Sequence, residues 1–242
     1  MKQLVIILSI AAAALAIGCA IPSRPDLRIA ISSSPGSSLL YIAQEARLFE
    51  RYNVGVHIVE LNSPCECALA MHDHQVDAAV IPYDEYVILE RSGSQAGIVM
   101  AIAVQGVVDS SSSNKTMKSS WSSSSVEVLA GNRSELAQRR QEWQRILLAY
   151  EHARLLMSGE QTLQSQVVAA RERRSSESYL VDFKRWNVFD LSQQDSLFRP
   201  NGLCNGFNPQ WHGKHLIQAA TATDFDRFAR RNESVATRDK VR

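Results

Sequence analysis

The sequence has almost no net charge, and this absence excludes one broad class of partner. Its 26 Lys and Arg residues nearly balance its 25 Asp and Glu residues, which leaves a formal net charge of +1. Nucleic-acid-binding domains carry basic surfaces because binding depends on neutralising phosphates. Basic residues cluster at 171–174 and 227–231, but both clusters have acidic or apolar neighbours, and we interpret them as solvated helix faces. We therefore predict no nucleic-acid partner.

The sequence also lacks the short motifs that carry common chemistries. It contains no nucleophile elbow, zinc-protease helix motif, phosphate-binding loop or dinucleotide fingerprint. Each of these motifs places a reactive or phosphate-binding group at a fixed spacing, and nothing in this chain replaces them. We predict no catalytic residues and no cofactor, and hence a protein that is not an enzyme.

Cysteine is scarce, and its one cluster is a poor metal site. Cys65 and Cys67 lie close to His72 and His74, and thiolates and imidazoles are ligands that zinc prefers. On one helix, residues seven apart share a face, so two Cys–His stacks would form about 160–200° apart. The ligands of one ion must converge on it. We therefore predict no metal site here.

Long apolar runs are also missing, but a shorter run stands at the N-terminus. Lys2 and an apolar stretch of signal-peptide length precede Cys19, with a small residue directly before the cysteine. We predict that residues 1–18 are a signal peptide, that Cys19 is lipidated, and that residues 19–26 tether the fold to a membrane. A plain signal peptide cleaved near Ala20 is the alternative. Both interpretations place the chain in the cell envelope, facing the periplasm or the cell exterior.

The first part of the remaining sequence alternates strand-like and helix-like segments. Strand patterns occur at 27–31, 54–59, 78–81 and 98–108. This order, with short connections, predicts a parallel α/β sheet with right-handed crossovers. The helical segments between the strands are 38–52, 64–72 and 84–91.

A tract made mostly of serine, residues 109–125, interrupts this alternation. A strand-like segment follows at 126–130 and a long amphipathic helix at 134–157. Residues 232–242 form a polar tail. Further helices are predicted at 161–174, 176–188 and 224–231.

Two segments of the sequence resemble a known protein family. The sequence ARLFERYNVGV covers residues 46–56 and QVDAAVIPYDE covers residues 75–85. Within the ordered segments of residues 27–93, they resemble the first lobe of periplasmic substrate-binding proteins of ABC transporters. The branch is the one that handles nitrate, sulfonates, taurine and thiamine-pyrimidine precursors. The resemblance implies a small anionic or heteroaromatic solute and an ABC permease as a partner.

In that family a second lobe is built between the fourth strand and the returning strand. Here residues 109–125 stand in that place, and a lobe needs on the order of a hundred residues to bury a core. We therefore predict that residues 27–108 and 126–231 form one periplasmic-binding-protein-like lobe, and that the serine-rich linker replaces the second. Its sheet would be mainly parallel and five-stranded, with residues 126–130 as the fifth strand, and C-terminal helices would complete the lobe.

Ligands of parallel sheets bind beyond the carboxyl ends of the strands. Ser37 and Ser38, at a helix N-terminus, suit a small anion because amide donors and the helix dipole point there. A simple N-cap is the alternative, and we favour it because loss of one lobe would leave the ligand facing water. The candidate ligand-binding residues are Ser32, Ser33, Ser34, Ser37, Ser38, Asn62, Ser63, Pro82 and Tyr83.

Together, these expectations predict a solute-binding lipoprotein of an ABC importer that is anchored to a membrane through its lipid. A second chain, as a homodimer or a domain-swapped copy, could supply the missing wall of the cleft. A different class of function is an envelope lipoprotein that binds no solute and acts through protein–protein interaction. A deletion remnant without function is the third possibility.

Overall fold

The computed structural model describes residues 25–106, 126–159, 161–198 and 213–221. Five features named above lie outside the described residues. They are the signal peptide, Cys19, the serine-rich tract, the helix predicted at 224–231 and the polar tail.

A six-stranded sheet forms the centre of the described structure, in the spatial order β2-β1-β3-β5-β4-β6. β1 pairs in parallel with β2 and with β3, whereas β5 is antiparallel to both β3 and β4, and β6 is antiparallel to β4. β1 to β4 therefore run in one direction, and the prediction of a mainly parallel sheet is confirmed for the direction of most strands. The strands are β1 (Leu27–Ile31), β2 (Val56–Glu60), β3 (Ala78–Pro82), β4 (Ala96–Gln105), β5 (Val126–Asn132) and β6 (Trp186–Val188).

β5 lies between β3 and β4, so the prediction that residues 126–130 join the N-terminal sheet is confirmed. Its antiparallel direction differs from the parallel arrangement of the strands before it. Val104 near the end of β4 stands opposite Val126 at the start of β5, so the chain leaves and re-enters the sheet at one edge. A connection that returns to the same edge gives antiparallel neighbours, because parallel neighbours require a crossover to the opposite edge.

β6 is a sixth strand where the sequence predicted helix. Residues 176–188 were expected to form one helix, but the helix ends at Phe183 and the next residues pair with β4. Trp186 and Val188 are residue types that favour strands, and the neighbouring edge of β4 offers unpaired backbone groups. Pairing with this edge overrides the local helical pattern.

Ten helices surround the sheet in the described ranges. The helix predicted at 38–52 is interrupted at Arg47, whose left-handed φ of 52° ends one helix and starts the next. The helix predicted at 134–157 is likewise divided at Arg139. The helices are α1 (Pro35–Glu45), α2 (Leu48–Arg51), α3 (Pro64–His72), α4 (Tyr83–Arg91), α5 (Arg133–Gln138), α6 (Arg140–Gly159), α7 (Gln161–Arg171), α8 (Ser176–Phe183), α9 (Gln194–Leu197) and α10 (Lys214–Thr221).

The sheet separates two apolar cores. Leu27, Ile29 and Ile31 of β1 point into the core beneath α1, α6 and α8, where Trp143 is fully buried. Ala30, the alternate residue, points into the core formed with α3 and α4. Burial on both faces explains why β3, β4 and β5 read as nearly continuous apolar runs.

A buried glutamine completes the hydrogen bonding of β4. Ala103 is the last β4 residue paired with β6, and Ala101 lies beyond that pairing. The Ala101 N–H donates to Gln194 Oε1 at 2.8 Å, and Gln194 Nε2 donates to the Ala101 carbonyl at 2.8 Å. The side-chain amide thus pairs with the strand as a neighbouring backbone would.

None of the helices in the described ranges is long and apolar enough to cross a membrane.

Candidate functional site

A cleft of about 210 Å³ lies at the carboxyl edge of the parallel strands. β1 and β4 end at this edge and β6 begins there, because β6 is antiparallel to β4. Ligands of open α/β sheets bind outside this edge, so the cleft is the candidate site. Its lining residues are Ser33, Ser34, Pro35, Gln105, Arg174, Asp182, Arg185 and Trp186.

The serines after β1 divide between the cleft and the helix that follows. Ser33 and Ser34 line the cleft, whereas Ser37 and Ser38 are fully buried. Ser34 is the N-cap of α1, since its Oγ accepts from the Ser37 N–H at 3.2 Å. The Ser38 hydroxyl donates to the Ser34 carbonyl at 3.1 Å. The expected N-cap therefore exists, but it is Ser34 and not Ser37 or Ser38.

Ser32 faces away from the cleft and toward α3. It is only 4% exposed and makes a hydrogen bond with the thiol of Cys67. Burial raises the pKa of Cys67 to about 11, and the bond from Ser32 offsets part of that increase. Cys67 is therefore a buried neutral thiol, while Cys65 is exposed.

The remaining candidate residues begin helices and do not line the cleft. Ser63 is the N-cap of α3, and the Asn62 N–H and side-chain amide both donate to Glu66 Oε2 at 3.1 and 3.3 Å. Pro82 stands at the N-cap position of α4, and Tyr83 is buried in the core. Of the nine candidates, the structure brings only Ser33 and Ser34 to the cleft wall.

Arg174 joins the cleft to a partly buried ion network that the sequence did not predict. Its Nη1 lies 2.6 Å from Asp182 Oδ2, and its Nε lies 2.7 Å from Glu172 Oε2. Burial raises the pKa of Glu172, whose side chain is 5% exposed, while Arg174 and a hydrogen bond with Ser33 oppose the increase. These contacts fix the guanidinium of Arg174 in the cleft wall.

Arg171 is also held against the protein. Its guanidinium lies 4.3 Å from the centre of the Tyr41 ring and 2.6 Å from Glu60 Oε1. The side chains of Arg171 and Arg174 are 25% and 26% exposed. These two arginines of the 171–174 cluster are therefore partly buried and paired with acids, and are not fully solvated.

Glu127 is a buried acid beside the cleft. It is the second residue of β5, is 6% exposed, and its Oε2 accepts a hydrogen bond from the Gly36 N–H at 3.0 Å. Burial raises the pKa of Glu127 to about 7, while interactions with Ser34 and Gly36 oppose the increase. A side chain at residue 36 would overlap this carboxylate, so the contact requires glycine.

The side chains that line the cleft are suited to binding a solute. Arg185 presents an exposed guanidinium, and Trp186 beside it presents a half-buried ring. A guanidinium binds carboxylate-like or sulfonate-like groups through two parallel hydrogen bonds, and an indole stacks on flat groups. Within the described ranges, no group of three His, Cys, Asp or Glu residues is arranged to hold a metal.

A partial signal for one of these residues was present in the sequence. Glu127 alternates with apolar residues in a strand expected to be buried, and a lone acid there indicates a special environment. Arg174, Asp182 and Arg185 carry no such signal, because their helical segments resemble ordinary exposed helices. Whether these three side chains lie close together depends on how α7 and α8 pack.

No protein-family model and no curated protein matches this sequence, but solved structures match its fold. The zinc-bound ligand-binding component of an ABC-type import system from Staphylococcus aureus has a TM-score of 0.59 and 12% identity, covering 83% of this chain and 100% of that chain. The aliphatic sulphonate binding protein SsuA from Escherichia coli has a TM-score of 0.52 and 11% identity, covering 69% and 82%. The nitrate-binding protein NrtA from Synechocystis has a TM-score of 0.56 and 9% identity, covering 88% and 89%.

At these identities the likeness shows the fold. The described part of this chain therefore has the fold of a periplasmic-binding-protein lobe. The resemblance in residues 46–56 and 75–85 is confirmed at the level of fold. The three neighbours are binding proteins.

Proposed function

We propose that this protein is the solute-binding component of an importer, exported to the cell envelope and working with a membrane permease. The observation that carries the proposal is the cleft at the carboxyl edge of the sheet, where this fold class places its ligands. The fold neighbours that bind sulphonate and nitrate favour the same role. The predicted lipid on Cys19 would hold the protein at a membrane surface.

The solute class follows from the side chains that face the cleft. Arg185 suits one anionic group, and Trp186 suits a flat or apolar part of the same molecule. The volume of about 210 Å³ is below the range of drug-sized pockets, so the solute is small. A short sulfonate or a pyrimidine-like acid meets these conditions.

One lobe would expose such a solute to water on one side. Gln105 and Arg185 in the cleft wall are exposed, so water reaches the bound solute. Because Val104 of β4 pairs with Val126 of β5 at this edge, the described chain ends and resumes beside the cleft, which agrees with the predicted linker 109–125 in place of a second lobe. A second copy of the chain would supply the opposite wall.

The test is a titration of the purified protein with nitrate, short sulfonates and pyrimidine acids. We expect saturable heat at millimolar solute and a change in tryptophan fluorescence that Trp186→Phe removes. Arg185→Gln should weaken binding of the anionic solutes at least about tenfold, because a charge-assisted hydrogen-bonded pair is lost.

Lys184→Gln is the matched control. It makes the same charge change at the neighbouring exposed position, outside the cleft lining, and should bind as the wild type does. A folded protein that gives no heat with any solute of the panel would overturn the proposal. That result would favour the alternative of an envelope lipoprotein that acts through protein–protein interaction.

A further inference from the structure

The N-terminus of α1 points its backbone donors toward the edge of the sheet where the cleft lies. The first amide groups of any helix have no partner within the helix, and they attract anions together with the helix dipole. In α1 the first residue is Pro35, which has no N–H. Gly36 and Ser37 therefore carry the donors for which an external anion would compete.

Both donors are already used by the protein itself. The Ser37 N–H donates to Ser34 Oγ at 3.2 Å, and the Gly36 N–H donates to Glu127 Oε2 at 3.0 Å. The next amide, of Ser38, donates to the Ser34 carbonyl at 3.2 Å in the ordinary helical pattern. The first turn of α1 thus offers no amide to a solute while Glu127 stays in place.

Glu127 comes from a different element, β5, and is separated from Gly36 by 91 residues. Its burial costs solvation energy, which a carboxylate accepts only where donors compensate for it. Gly36 provides one donor, and the absence of a side chain there makes room for the carboxylate oxygen. Gly36 and Glu127 are distant in sequence, but they complement each other in space and in hydrogen bonding where they meet.

We propose that Glu127 is a specificity-determining residue of the cleft: its carboxylate occupies the position at the N-terminus of α1 that a solute anion would otherwise take. The inference rests on the proposed solute-binding function. A solute anion is then directed to Arg185, which also lines the cleft. Small oxoanions that need a helix N-terminus are rejected.

The test is amide NMR of the ¹⁵N-labelled protein titrated with sodium nitrate and sodium methanesulfonate, with sodium chloride as the ionic-strength control. In the wild type, we expect no saturable shift of the Gly36 amide. In Glu127→Ala the acceptor is removed and the Gly36 amide is free. We expect a saturable shift there, which the wild type does not show.

Glu127→Gln is the matched control, because it removes the charge but keeps an oxygen against Gly36. It should show no saturable Gly36 shift, which separates occupation of the site from simple charge repulsion. Glu127→Ser serves the same purpose as the alanine variant if the latter does not fold.

Two results would overturn the inference: a saturable Gly36 shift in the wild type, or no gain in folded alanine and serine variants. The wild-type measurement needs no substitution, so a saturable Gly36 shift there overturns the inference even if both variants unfold. Failure of the proposed function gives a different result. The wild type would then give no heat with any solute, whereas the alanine variant would still gain anion binding at Gly36.

Discussion

Replacing Glu127 with glutamine should change how the stability of the protein depends on pH. Burial raises the carboxyl pKa from 4.5 to about 7 in the folded protein. A raised carboxyl pKa means that the folded state binds this proton more tightly than the unfolded chain does. The stability associated with the group is therefore fully present below about pH 4.5 and is lost as the pH rises through about 7.

The magnitude follows from the same two values. The pKa rises from 4.5 to about 7, a difference of about 2.5, which at about 1.36 kcal/mol per pKa unit is about 3 kcal/mol. Glutamine has nearly the same shape, still accepts from the Gly36 N–H, and does not titrate. The free energy of unfolding of the wild type, relative to Glu127→Gln, should fall by about 3 kcal/mol between about pH 4.5 and about pH 8. Tyr150, which faces Glu127 from α6, stays neutral because burial raises its pKa.

The assay is urea unfolding followed by circular dichroism at a series of pH values. The prediction concerns how the difference in unfolding free energy between the two proteins changes with pH. A constant difference caused by the weaker amide hydrogen bond therefore cancels. Glu177→Gln, which removes an exposed carboxylate from the first turn of α8, is the control for the loss of a surface charge. A wild-type and Glu127→Gln pair whose pH profiles run parallel would refute the reasoning.

Two further predictions concern the core and the membrane anchor. Gln194→Ala leaves the N–H and carbonyl of Ala101 without their side-chain partner, so urea unfolding should show a loss of about 2–4 kcal/mol. The exposed Gln141→Ala on α6 should change stability by less than about 0.5 kcal/mol, and equal losses in the two variants would contradict this account. Cys19→Ser removes the predicted lipid attachment, so the protein should move from the membrane to the soluble fraction and its intact mass should lack acyl groups. Unchanged fractionation and mass would contradict the lipoprotein interpretation.

Elements with strong local signals were predictable from the sequence. β1 has the predicted bounds, Leu27–Ile31, because apolar residues alternate there and a turn sequence follows. The helix at Pro64–His72 also matches, since Ser63 caps it and Pro64 fits its first position. In both segments a local preference agrees with the environment that the fold provides.

Elements that depend on a distant partner were not predictable in full. The pattern of residues 126–130 indicates a strand but not its direction, because direction depends on where the chain re-enters the sheet. β6 formed against a helical pattern because the edge of β4 lay beside it. The direction of β5 and the presence of β6 both arise from backbone pairing between residues far apart in the chain.

The candidate site shows the same division. Ser33 and Ser34 were predictable because they directly follow β1, and the end of a parallel strand is a place that the chain order determines. Arg174 was not, because a basic residue in a charged helical segment has the same sequence pattern whether water or an acid faces it. Its pair with Asp182 depends on how the turn after α7 places Arg174 beside α8, and its pair with Glu172 depends on the conformation of that turn.

The direction of β5 connects the fold to the proposed specificity. Glu127 stands opposite Pro82, the last residue of β3, because the two strands are antiparallel. In a wholly parallel sheet, the second residue of a strand lies at the amino edge, far from the cleft. The reversal of the chain after β4 therefore carries an acid from the start of β5 to the carboxyl edge, where α1 begins. The pairing that inserts β5 between β3 and β4 thus also places the carboxylate that blocks the N-terminus of α1.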